Sequence, residues 1–497
     1  MSRALRLTRD EVRRFAEASG DRNPLHVDEA YARATPFGRC IAHGALVGIA
    51  ALGALDRESL QRIGSIQARF LQPVFPDDEY AVSVARAEGD TAELEVRGRG
   101  RLAATIVIAR GEAVVPKVSY GETDLSLPAP AVHALDEPGL SELSVEAPYE
   151  PDLRALRALA DELGAGEVPD ALLLWLAGAS FVVGMLVPGR DALFATARVE
   201  PRTSERSGAV DASVTGADDR TGLVAVESFL HHGRASASMT LSTFLRAPVR
   251  PPSRATLARY LGPTDALAGR AVLVVGGSRG LGAALGGAFA TQGASVTVAF
   301  ARSRSHAEAL EAEFGVRPLQ FDAEDPRQAR GALAALRTDV GELDGVVFCA
   351  APPLYETALE PAATEAALEF VRSSLSLVLV PLAEVLPVLA RDAWLVFVSS
   401  SELASPAEGW PHYTIAKSAL EGVATYCRQH VRPQVLIARA PKMLTDSTNT
   451  PLGRLRAVPP EQVAAGVVRW ATSDAATRAG LLAGDELLVE PIDPPGA

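Results

Sequence analysis

The chain has 497 residues, too many for one ordinary core, and its 48% hydrophobic and 22% charged residues are typical of a globular protein. The formal net charge of −13 argues against nucleic acid as a partner, because proteins that bind phosphate backbones cluster Lys and Arg. Cys40, Cys349 and Cys427 lie far apart, which argues against a disulfide framework or a metal site and favours a reducing cytoplasm.

The first region combines a helical segment with a set of strands. Residues 7–52 have a helical pattern interrupted by a turn, and the strand-like runs that follow are Ser65–Leu71, Glu79–Ala87, Thr91–Gly98 and Ala103–Ala109. A helix followed by an antiparallel sheet forms an α+β layer arrangement. We therefore predict one domain over residues 1–122.

A polar run, SGDRNPLH, follows the first predicted helix at residues 19–26. Pro24 disfavours helix at Asn23, so Asp21 and His26 should fall on a turn that can bring their side chains together. A carboxylate and an imidazole supply the two proton transfers needed to add or remove water beside a thioester carbonyl. An ordinary Asx turn with a capped histidine has the same sequence pattern, so both interpretations stand at this point.

The surrounding residues favour the catalytic interpretation. With His43-Gly44 at the head of an apolar helix and FLQPVFPD at residues 70–77, the motif resembles the MaoC-like, or (R)-specific enoyl hydratase, family over residues 1–120. The resemblance implies a hot-dog fold, Asp21 and His26 as the catalytic pair, and Asn23 as an orienting residue. It also implies that the Gly44 N–H stabilises the thioester oxyanion. Which of Asp21 and His26 removes the α-proton stays open, and His43 is expected to pack or cap.

The next region repeats the same order of elements in weaker form. An apolar run at residues 171–187 precedes four strand-like runs, Ala192–Glu200, Gly208–Thr215, Gly222–His231 and Ser236–Phe244. This region contains no second Asp–His motif. We predict a degenerate second hot-dog domain over residues 141–247 that completes a double hot-dog and widens the acyl tunnel.

Two features of this region have alternative explanations. The uncharged run at 171–187 is at the short limit for a membrane span. Gly178, Ser180 and Gly184 suit a helix wrapped closely by a sheet, so we expect no membrane span. His231 and His232 could suggest a metal, but neighbouring strand residues point to opposite faces, which favours structural roles.

The last region, residues 267–497, alternates short apolar runs with Ala-rich helices. The runs are AVLVV at 271–275, SVTVAF at 295–300, GVVFCA at 345–350, WLVFVSS at 394–400 and QVLIARA at 434–440. Buried runs that alternate with helices predict an α/β, Rossmann-type, doubly wound parallel sheet.

A glycine-rich loop, GGSRGLG at residues 276–282, directly follows the first of these runs. Glycines let the backbone turn tightly and approach a pyrophosphate at a helix N-terminus, although a tight strand-to-helix turn has the same pattern. Its position between a strand and a helix favours nucleotide binding. The candidate residues in the loop are Gly276, Ser278, Arg279, Gly280, Leu281 and Gly282.

A second motif strengthens that interpretation. Tyr413 and Lys417 are four residues apart on a predicted helix, so the ammonium can lie near the phenol and lower its pKa. Ser400 ends a predicted strand thirteen positions before Tyr413. With the glycine loop, these residues resemble the short-chain dehydrogenase/reductase family, especially its β-ketoacyl reductases. The resemblance implies that Tyr413 protonates the carbonyl oxygen, Ser400 hydrogen-bonds it, and Lys417 tunes Tyr413 and holds the nicotinamide ribose.

The chain departs from that family at three places. Cys349-Ala-Ala stands where the family has Asn-Ala-Gly, Ser374 aligns with a family Asn, and Pro441-Lys442 replaces Pro-Gly. These changes put the reaction rate and the substrate in doubt.

The cofactor choice is argued from charge. The second predicted strand ends in Ala299-Phe-Ala-Arg302, without the carboxylate that binds the ribose of NAD. Arg279 and Arg302 could pair with a 2′-phosphate, so NADPH is favoured over NADH. By the resemblance, Asp322 contacts the adenine.

The two sites together predict consecutive chemistry, reduction of a 3-oxoacyl thioester with NADPH and dehydration of the 3-hydroxy product to a 2-enoyl thioester. This would suit fatty-acid or polyketide-type biosynthesis, with the acyl group on an acyl carrier protein or CoA, in a homo-oligomer formed through the reductase domain. Two alternatives stay open. One is hydration followed by dehydrogenation, as in β-oxidation, and the other is a non-catalytic acyl-binding scaffold.

Overall fold

The computed structural model describes residues 2–125, 129–247, 249–473 and 487–488. The predicted range 267–497 therefore extends beyond the described residues at 474–486 and 489–497, and the predicted range 1–122 does so at Met1. The chain divides into two compact units, residues 1–248 with 450–452, and residues 249–449 with 453–497.

The described part of the first unit contains one antiparallel sheet of ten strands. In chain order these strands are β1 (Ser2–Leu5), β2 (Ile63–Phe70), β3 (Tyr80–Glu88), β4 (Thr91–Gly98), β5 (Arg101–Arg110), β6 (Ser144–Pro148), β7 (Ala192–Arg202), β8 (Ser207–Asp218), β9 (Leu223–His232) and β10 (Ser236–Leu245). Across the sheet the order is β1-β3-β4-β5-β2-β7-β10-β9-β8-β6. The first half of the sheet (β1–β5) and the second half (β6–β10) therefore have the same strand order. Counted from the outer edge of the sheet inward, each half begins with its first strand, continues with its third, fourth and fifth strands, and ends with its second strand at the centre.

The helices of this unit pack against one another and against the sheet. They are α1 (Arg9–Ser19), α2 (Pro24–Val27), α3 (Glu29–Arg33), α4 (Gly44–Leu52), α5 (Arg57–Gln61), α6 (Leu153–Glu162) and α7 (Asp170–Phe181), and a π-helical turn (Val182–Leu186) follows α7. The central helices α4 and α7 contact each other, and both are apolar on all sides. A helix of this kind must be buried, and every residue of α7 after Asp170 is.

Local signals in the sequence set the backbone around the first candidate site. Thr8 and Glu11 form a capping box at the start of α1, and Gly20 ends the helix in the left-handed conformation with φ of 79°. Asn23 then caps α2 through its side chain, and Pro24 occupies the first helical position. Asp21 lies in the loop between the two helices. His26 lies in the single turn of α2 and not in an open turn, because this cap and proline start a new helix.

The described part of the second unit contains a parallel sheet with the order β13-β12-β11-β14-β15-β16-β17. Its strands are β11 (Ala271–Val275), β12 (Ser295–Phe300), β13 (Arg317–Gln320), β14 (Leu343–Phe348), β15 (Leu389–Ser400), β16 (Gln434–Ala440) and β17 (Leu487–Leu488). The helices after residue 249 are α8 (Arg254–Leu257), α9 (Gly280–Thr291), α10 (Arg304–Phe314), α11 (Pro326–Val340), α12 (Thr364–Val385), α13 (Pro411–His430), α14 (Pro451–Arg454) and α15 (Pro460–Thr472).

Helices cover both faces of this sheet. One apolar core includes Leu285 of α9 and Val467 of α15, and the other includes Leu333 of α11, Val378 of α12 and Leu420 of α13. The central strand β11 is buried at every residue, as a strand covered on both faces must be. The carboxyl ends of the strands therefore form the edge where a ligand can reach the sheet.

One described helix, α12 with the turn that follows it (Thr364–Val388), is long and apolar enough to cross a membrane by length and composition. A single such helix is weak evidence for a span, since core helices of other proteins pass the same test. In the second unit it packs beside α11 and α13. The run at 171–187, which raised the question in the sequence, is the buried helix α7 and the turn after it.

Candidate functional sites

Three side chains converge inside the first unit. Asp21 comes from the loop after α1, His26 from α2, and His43 from the position before α4. Their potential ligand atoms all lie within 4.8 Å of one another, and the two imidazole rings stack with centroids 3.7 Å apart. The predicted pair of Asp21 and His26 is therefore brought together, with a second histidine beside it.

Hydrogen bonds determine which nitrogen of each ring carries a proton. His26 Nδ1 lies 2.8 Å from the Ile41 carbonyl oxygen, and His43 Nε2 lies 3.0 Å from the Asp21 carbonyl oxygen. A carbonyl oxygen only accepts, so each of these nitrogens donates. Burial lowers the pKa of both rings to about 3, so both are neutral at neutral pH. In His26 this leaves Nε2 with a lone pair that can accept a proton.

His43 was expected to pack or cap. It packs against His26 and Phe15, but its side chain makes no capping hydrogen bond to α4. Its Nε2 instead fixes the backbone of Asp21.

The carboxyl group of Asp21 is almost fully buried, with 2% of the residue exposed. Burial raises its pKa, and the nearby His26 and hydrogen bonds from Ser180 and Asn23 act in the opposite direction. The buried site thus favours a protonated carboxyl beside a neutral imidazole. That pair can give a proton and take one in the same step.

The segment between β6 and β7 also contributes residues to this site. The Ser180 hydroxyl of α7 donates to Asp21 Oδ2 at 2.6 Å. Asn23 Nδ2 donates to the carbonyl oxygens of Gly184 and Gly189, at 3.3 and 3.2 Å. A Cβ atom at Gly184 would overlap the Asp21 carboxyl group. The sequence did not assign Ser180 or Gly184 to the site, although Ser180 is the one hydroxyl in an otherwise apolar helix.

Gly44 is the first residue of α4, where backbone N–H groups have no acceptor within the helix. A Cβ atom at this position would lie 2.9 Å from three atoms of the Phe70 ring. The absence of a side chain therefore keeps the helix N-terminus close to Phe70. The N–H groups at this helix N-terminus are donors of the kind that can stabilise a developing oxyanion.

Within the described residues, Asp21, His26 and His43 form the one group whose spacing would allow a metal ion. One nitrogen of each imidazole is already engaged as a hydrogen-bond donor. The sequence predicts no metal here, and a chelation experiment can test that prediction.

The predicted nucleotide loop lies at the carboxyl edge of the second sheet. The N–H groups of Gly276 and Gly277 donate to the Ala299 carbonyl oxygen, and Gly276 has φ of 81°. A Cβ atom at Gly282 would overlap the Gly276 carbonyl oxygen, so the turn requires glycine there. Ser278 and Arg279 lead into α9, which begins with Gly280, Leu281 and Gly282. The loop thus aims the N-terminus of α9 at a site where a phosphate can bind.

The predicted reductase residues lie at the same edge. Tyr413 and Lys417 are half-buried on α13, with Lys417 Nζ 5.7 Å from the centroid of the Tyr413 ring. Lys417 Nζ donates to the Val398 carbonyl oxygen at 2.8 Å. Ser400 ends β15, and its hydroxyl accepts from the N–H of Glu402.

Cys349 follows β14 and is half-buried near Lys417. Burial raises the pKa of its thiol to about 11, so it is uncharged at neutral pH. Ser374 lies on α12.

The two arginines predicted to bind a 2′-phosphate have different surroundings. Arg279 forms an ion pair with Asp446 at 3.0 Å, a partner that the sequence did not indicate. Arg302 is exposed two residues beyond β12. Asp322 follows β13, and its Oδ1 accepts from the N–H of Glu324. Arg302 is therefore the more accessible of the two cations for an incoming phosphate.

Comparisons with known proteins match both sites. Residues 1–105 match the family described as MaoC like domain, and residues 270–450 match the family described as short chain dehydrogenase. The chain is 35% identical over 127 residues to a 3-hydroxybutyryl-CoA dehydratase of Methylorubrum extorquens, which covers 24% of this chain and 78% of that protein. It is 40% identical over 116 residues to an (R)-specific enoyl-CoA hydratase of Aeromonas caviae, covering 21% and 82%.

Among solved structures, the chain is similar to BdcA in complex with NADPH. The sequence identity is 26%, the match covers 43% of this chain and 91% of that chain, and the TM-score is 0.37.

Proposed function

Because the chain belongs to the MaoC-like hydratases and dehydratases and carries a short-chain dehydrogenase domain, we propose that it is a bifunctional enzyme acting on acyl thioesters. The short-chain dehydrogenase domain reduces a 3-oxoacyl thioester to the 3-hydroxyacyl thioester. The MaoC-like domain then removes water to form the 2-enoyl thioester. The half-buried, neutral His26 beside the buried Asp21 carboxyl group is the observation that carries this proposal.

Dehydration follows from the protonation states of the pair. His26 Nε2 takes the α-proton, the electron pair moves toward the thioester carbonyl, and the Gly44 N–H stabilises the negative charge on that oxygen. Asp21 gives its proton to the departing 3-hydroxyl, which leaves as water. Burial favours the uncharged form of both groups beforehand, so neither must first lose a solvation shell.

We further propose that residues 141–247 form a second, degenerate hot-dog domain, with 1–122 as the first and 267–497 as the reductase domain. The matching strand order of the two sheet halves supports this division. So does the pairing of the central apolar helices α4 and α7. The second half then covers the site formed by the first and leaves room for an acyl chain.

In the reductase domain, a bound nicotinamide dinucleotide supplies the hydride. The loop at residues 276–282 holds its pyrophosphate, because the glycines allow the backbone to approach and the α9 N-terminus favours negative charge. Lys417 would hold the ribose, and Asp322 would contact the adenine. Tyr413 gives its proton to the substrate oxygen while Ser400 donates a hydrogen bond to the same atom.

NADPH is the proposed cofactor. Arg302 is exposed beyond the end of β12, where NAD-specific enzymes carry a carboxylate. Arg279 contributes to the same region once its ion pair with Asp446 rearranges.

The proposed setting is fatty-acid or polyketide-type biosynthesis in the cytoplasm, with the acyl group on an acyl carrier protein or on CoA. The two hydratase relatives are named for CoA thioesters. A homo-oligomer through the reductase domain is supported by exposed apolar side chains on the neighbouring helices α12 and α13, namely Leu368, Leu379, Ile415 and Tyr426.

The test compares the wild type with two variants, one altered in each site. Each protein is assayed with a short 3-oxoacyl thioester and either NADPH or NADH. The wild type should consume NADPH and release the enoyl product. Asp21→Asn should consume NADPH but accumulate the 3-hydroxyacyl thioester, and Tyr413→Phe should lose reduction while still dehydrating added 3-hydroxyacyl thioester. Mass spectrometry identifies each product. EDTA should leave both rates unchanged if the histidine site works without a metal.

Other results would favour the alternatives. Faster turnover of enoyl thioester with NAD than of 3-oxoacyl thioester with NADPH would indicate hydration followed by dehydrogenation. Thioester binding without turnover in any direction would indicate a scaffold.

A further inference from the structure

We propose that Ser180, which lies on α7 in the half of the first unit that contains β6–β10, is a positioning residue that orients the Asp21 carboxyl group for dehydration. The proposal rests on the proposed function of the MaoC-like domain. It assigns to residues 141–247, which contain no second Asp-x-x-x-x-His motif, a direct part in the chemistry of the first half.

The hydrogen bond has the geometry of a strong interaction. Ser180 Oγ donates to Asp21 Oδ2 at 2.6 Å, at the short end of the range for O–H···O hydrogen bonds. Both residues are almost fully buried, at 3% and 2% exposure. In such surroundings water cannot replace a lost donor without opening the site.

Ser180 differs from the helix threonines that bond within their own helix, and it resembles Ser373 of α12, which donates to the distant Glu324. Thr291, Thr414 and Thr425 each donate to a carbonyl oxygen four residues earlier in their own helix, a common arrangement. Ser180 instead donates to a residue 159 positions away in the sequence. Helix geometry alone therefore does not explain where this hydroxyl points.

The two oxygens of Asp21 are held from different directions. The backbone N–H of Asn23 donates to Oδ1 at 3.2 Å, and Ser180 holds Oδ2. The turn after α7 also limits rotation of the carboxyl group, because Gly184 leaves no space for a Cβ atom beside it. Ser180 thus determines which oxygen faces the substrate and at what angle the proton is delivered.

The inference is tested with Ser180→Ala in the full-length protein. We expect kcat for dehydration to fall about 10-fold, as for loss of one hydrogen bond to a buried group, with KM changed little. The limb of the pH–rate profile that reports Asp21 should move to higher pH, because a hydrogen bond to the ionised carboxylate is lost. Reduction by the other domain should be unchanged.

Ser236→Ala is the matched control, because Ser236 is also a buried serine of the second half. Its hydroxyl donates to Gly233 and accepts from the N–H of His232. It should leave both the rate and the pH profile of dehydration unchanged. If it reproduces the effect of Ser180→Ala, the inference is wrong and the second half acts only by general stability.

Ser180→Cys covers the case in which the alanine variant does not fold. Cysteine nearly matches serine in shape but is a weak donor, so the Asp21 limb should still move upward. An unchanged profile in a folded Ser180→Cys protein would overturn the proposal.

The inference can fail separately from the proposed function. The infrared band of the protonated Asp21 carboxyl, identified by its loss in Asp21→Asn, reports the titration of Asp21 without any substrate. If the wild type turns over no thioester but this titration moves in Ser180→Ala, the positioning contact stands and the proposed function fails. If the wild type is active and neither the rate nor the titration moves, the proposed function stands and the inference fails.

Discussion

The two candidate sites of this chain are built in different ways. In the first unit, Asp21 and His43 are buried among apolar helices, and hydrogen bonds hold them and His26 in place. In the second unit, Tyr413 and Lys417 are half-buried at the edge of a parallel sheet, and Arg302 is exposed. The protein interior thus sets the orientation and the pKa values of the first site in the absence of a ligand. In the proposed function, a bound nucleotide completes the second site.

Low pH should therefore reduce the unfolding free energy of the first unit, because its two histidines are protonated more readily in the unfolded chain. Each has a folded pKa of about 3 against an ordinary value of 6.5, so between these values the unfolded chain binds more protons. Stability is then present above pH 6.5 and is lost as the pH falls. From pH 7 to pH 5 we expect His26 and His43 to lower the unfolding free energy by on the order of 3 kcal/mol. The raised pKa of Asp21 acts in the opposite direction.

Denaturant titrations at several pH values measure this slope. His43→Gln retains a donor for the Asp21 carbonyl but cannot take up a proton, so it should reduce the slope by about half. An equal slope in wild type and His43→Gln would show that His43 is not a source of the pH dependence.

Close packing in the first site should make it intolerant of one added methyl group. Gly184→Ala places a Cβ atom against the Asp21 carboxyl group and should lower kcat/KM for dehydration by about 100-fold, as expected for a catalytic group displaced by about 1 Å. Gly216→Ala, on β8 with no atom within 4 Å of the new Cβ, is the control. Reduction should be unaffected in both variants. A Gly184→Ala rate within twofold of wild type would contradict the tight packing.

The second site should respond mainly through its ligand. Arg302→Glu removes a cation from the proposed 2′-phosphate site and adds a repelling charge, so the preference for NADPH over NADH should fall at least about 10-fold. Dehydration should stay the same. Arg327→Glu, an equal charge change at another exposed position of this unit, is the control for general electrostatic effects. The ratio of kcat/KM for the two cofactors is the measurement, and an unchanged ratio would remove Arg302 from the site.

Much of the backbone could be predicted from local patterns. The predicted runs at 91–98, 271–275, 295–300 and 434–440 coincide with β4, β11, β12 and β16. Alternating or continuous apolar residues bounded by turn residues carry that information within a few positions. Shorter strands such as β1 and β6 were not predicted, because four or five residues that complete a sheet edge have little pattern of their own.

The residues of the candidate sites likewise fall into two groups, those that local sequence could pair and those that it could not. Asp21 with His26, and Tyr413 with Lys417, are each close in sequence, so spacing and turn residues were enough to pair them. Ser180, Gly184 and Asp446 lie about 160 residues from the groups that they contact. The sequence by itself determined the residue types, the local turns and the two motifs. Only the tertiary structure decided which distant side chains meet them, because those contacts depend on how whole helices and sheet halves pack, and residue spacing along the chain carries no such information.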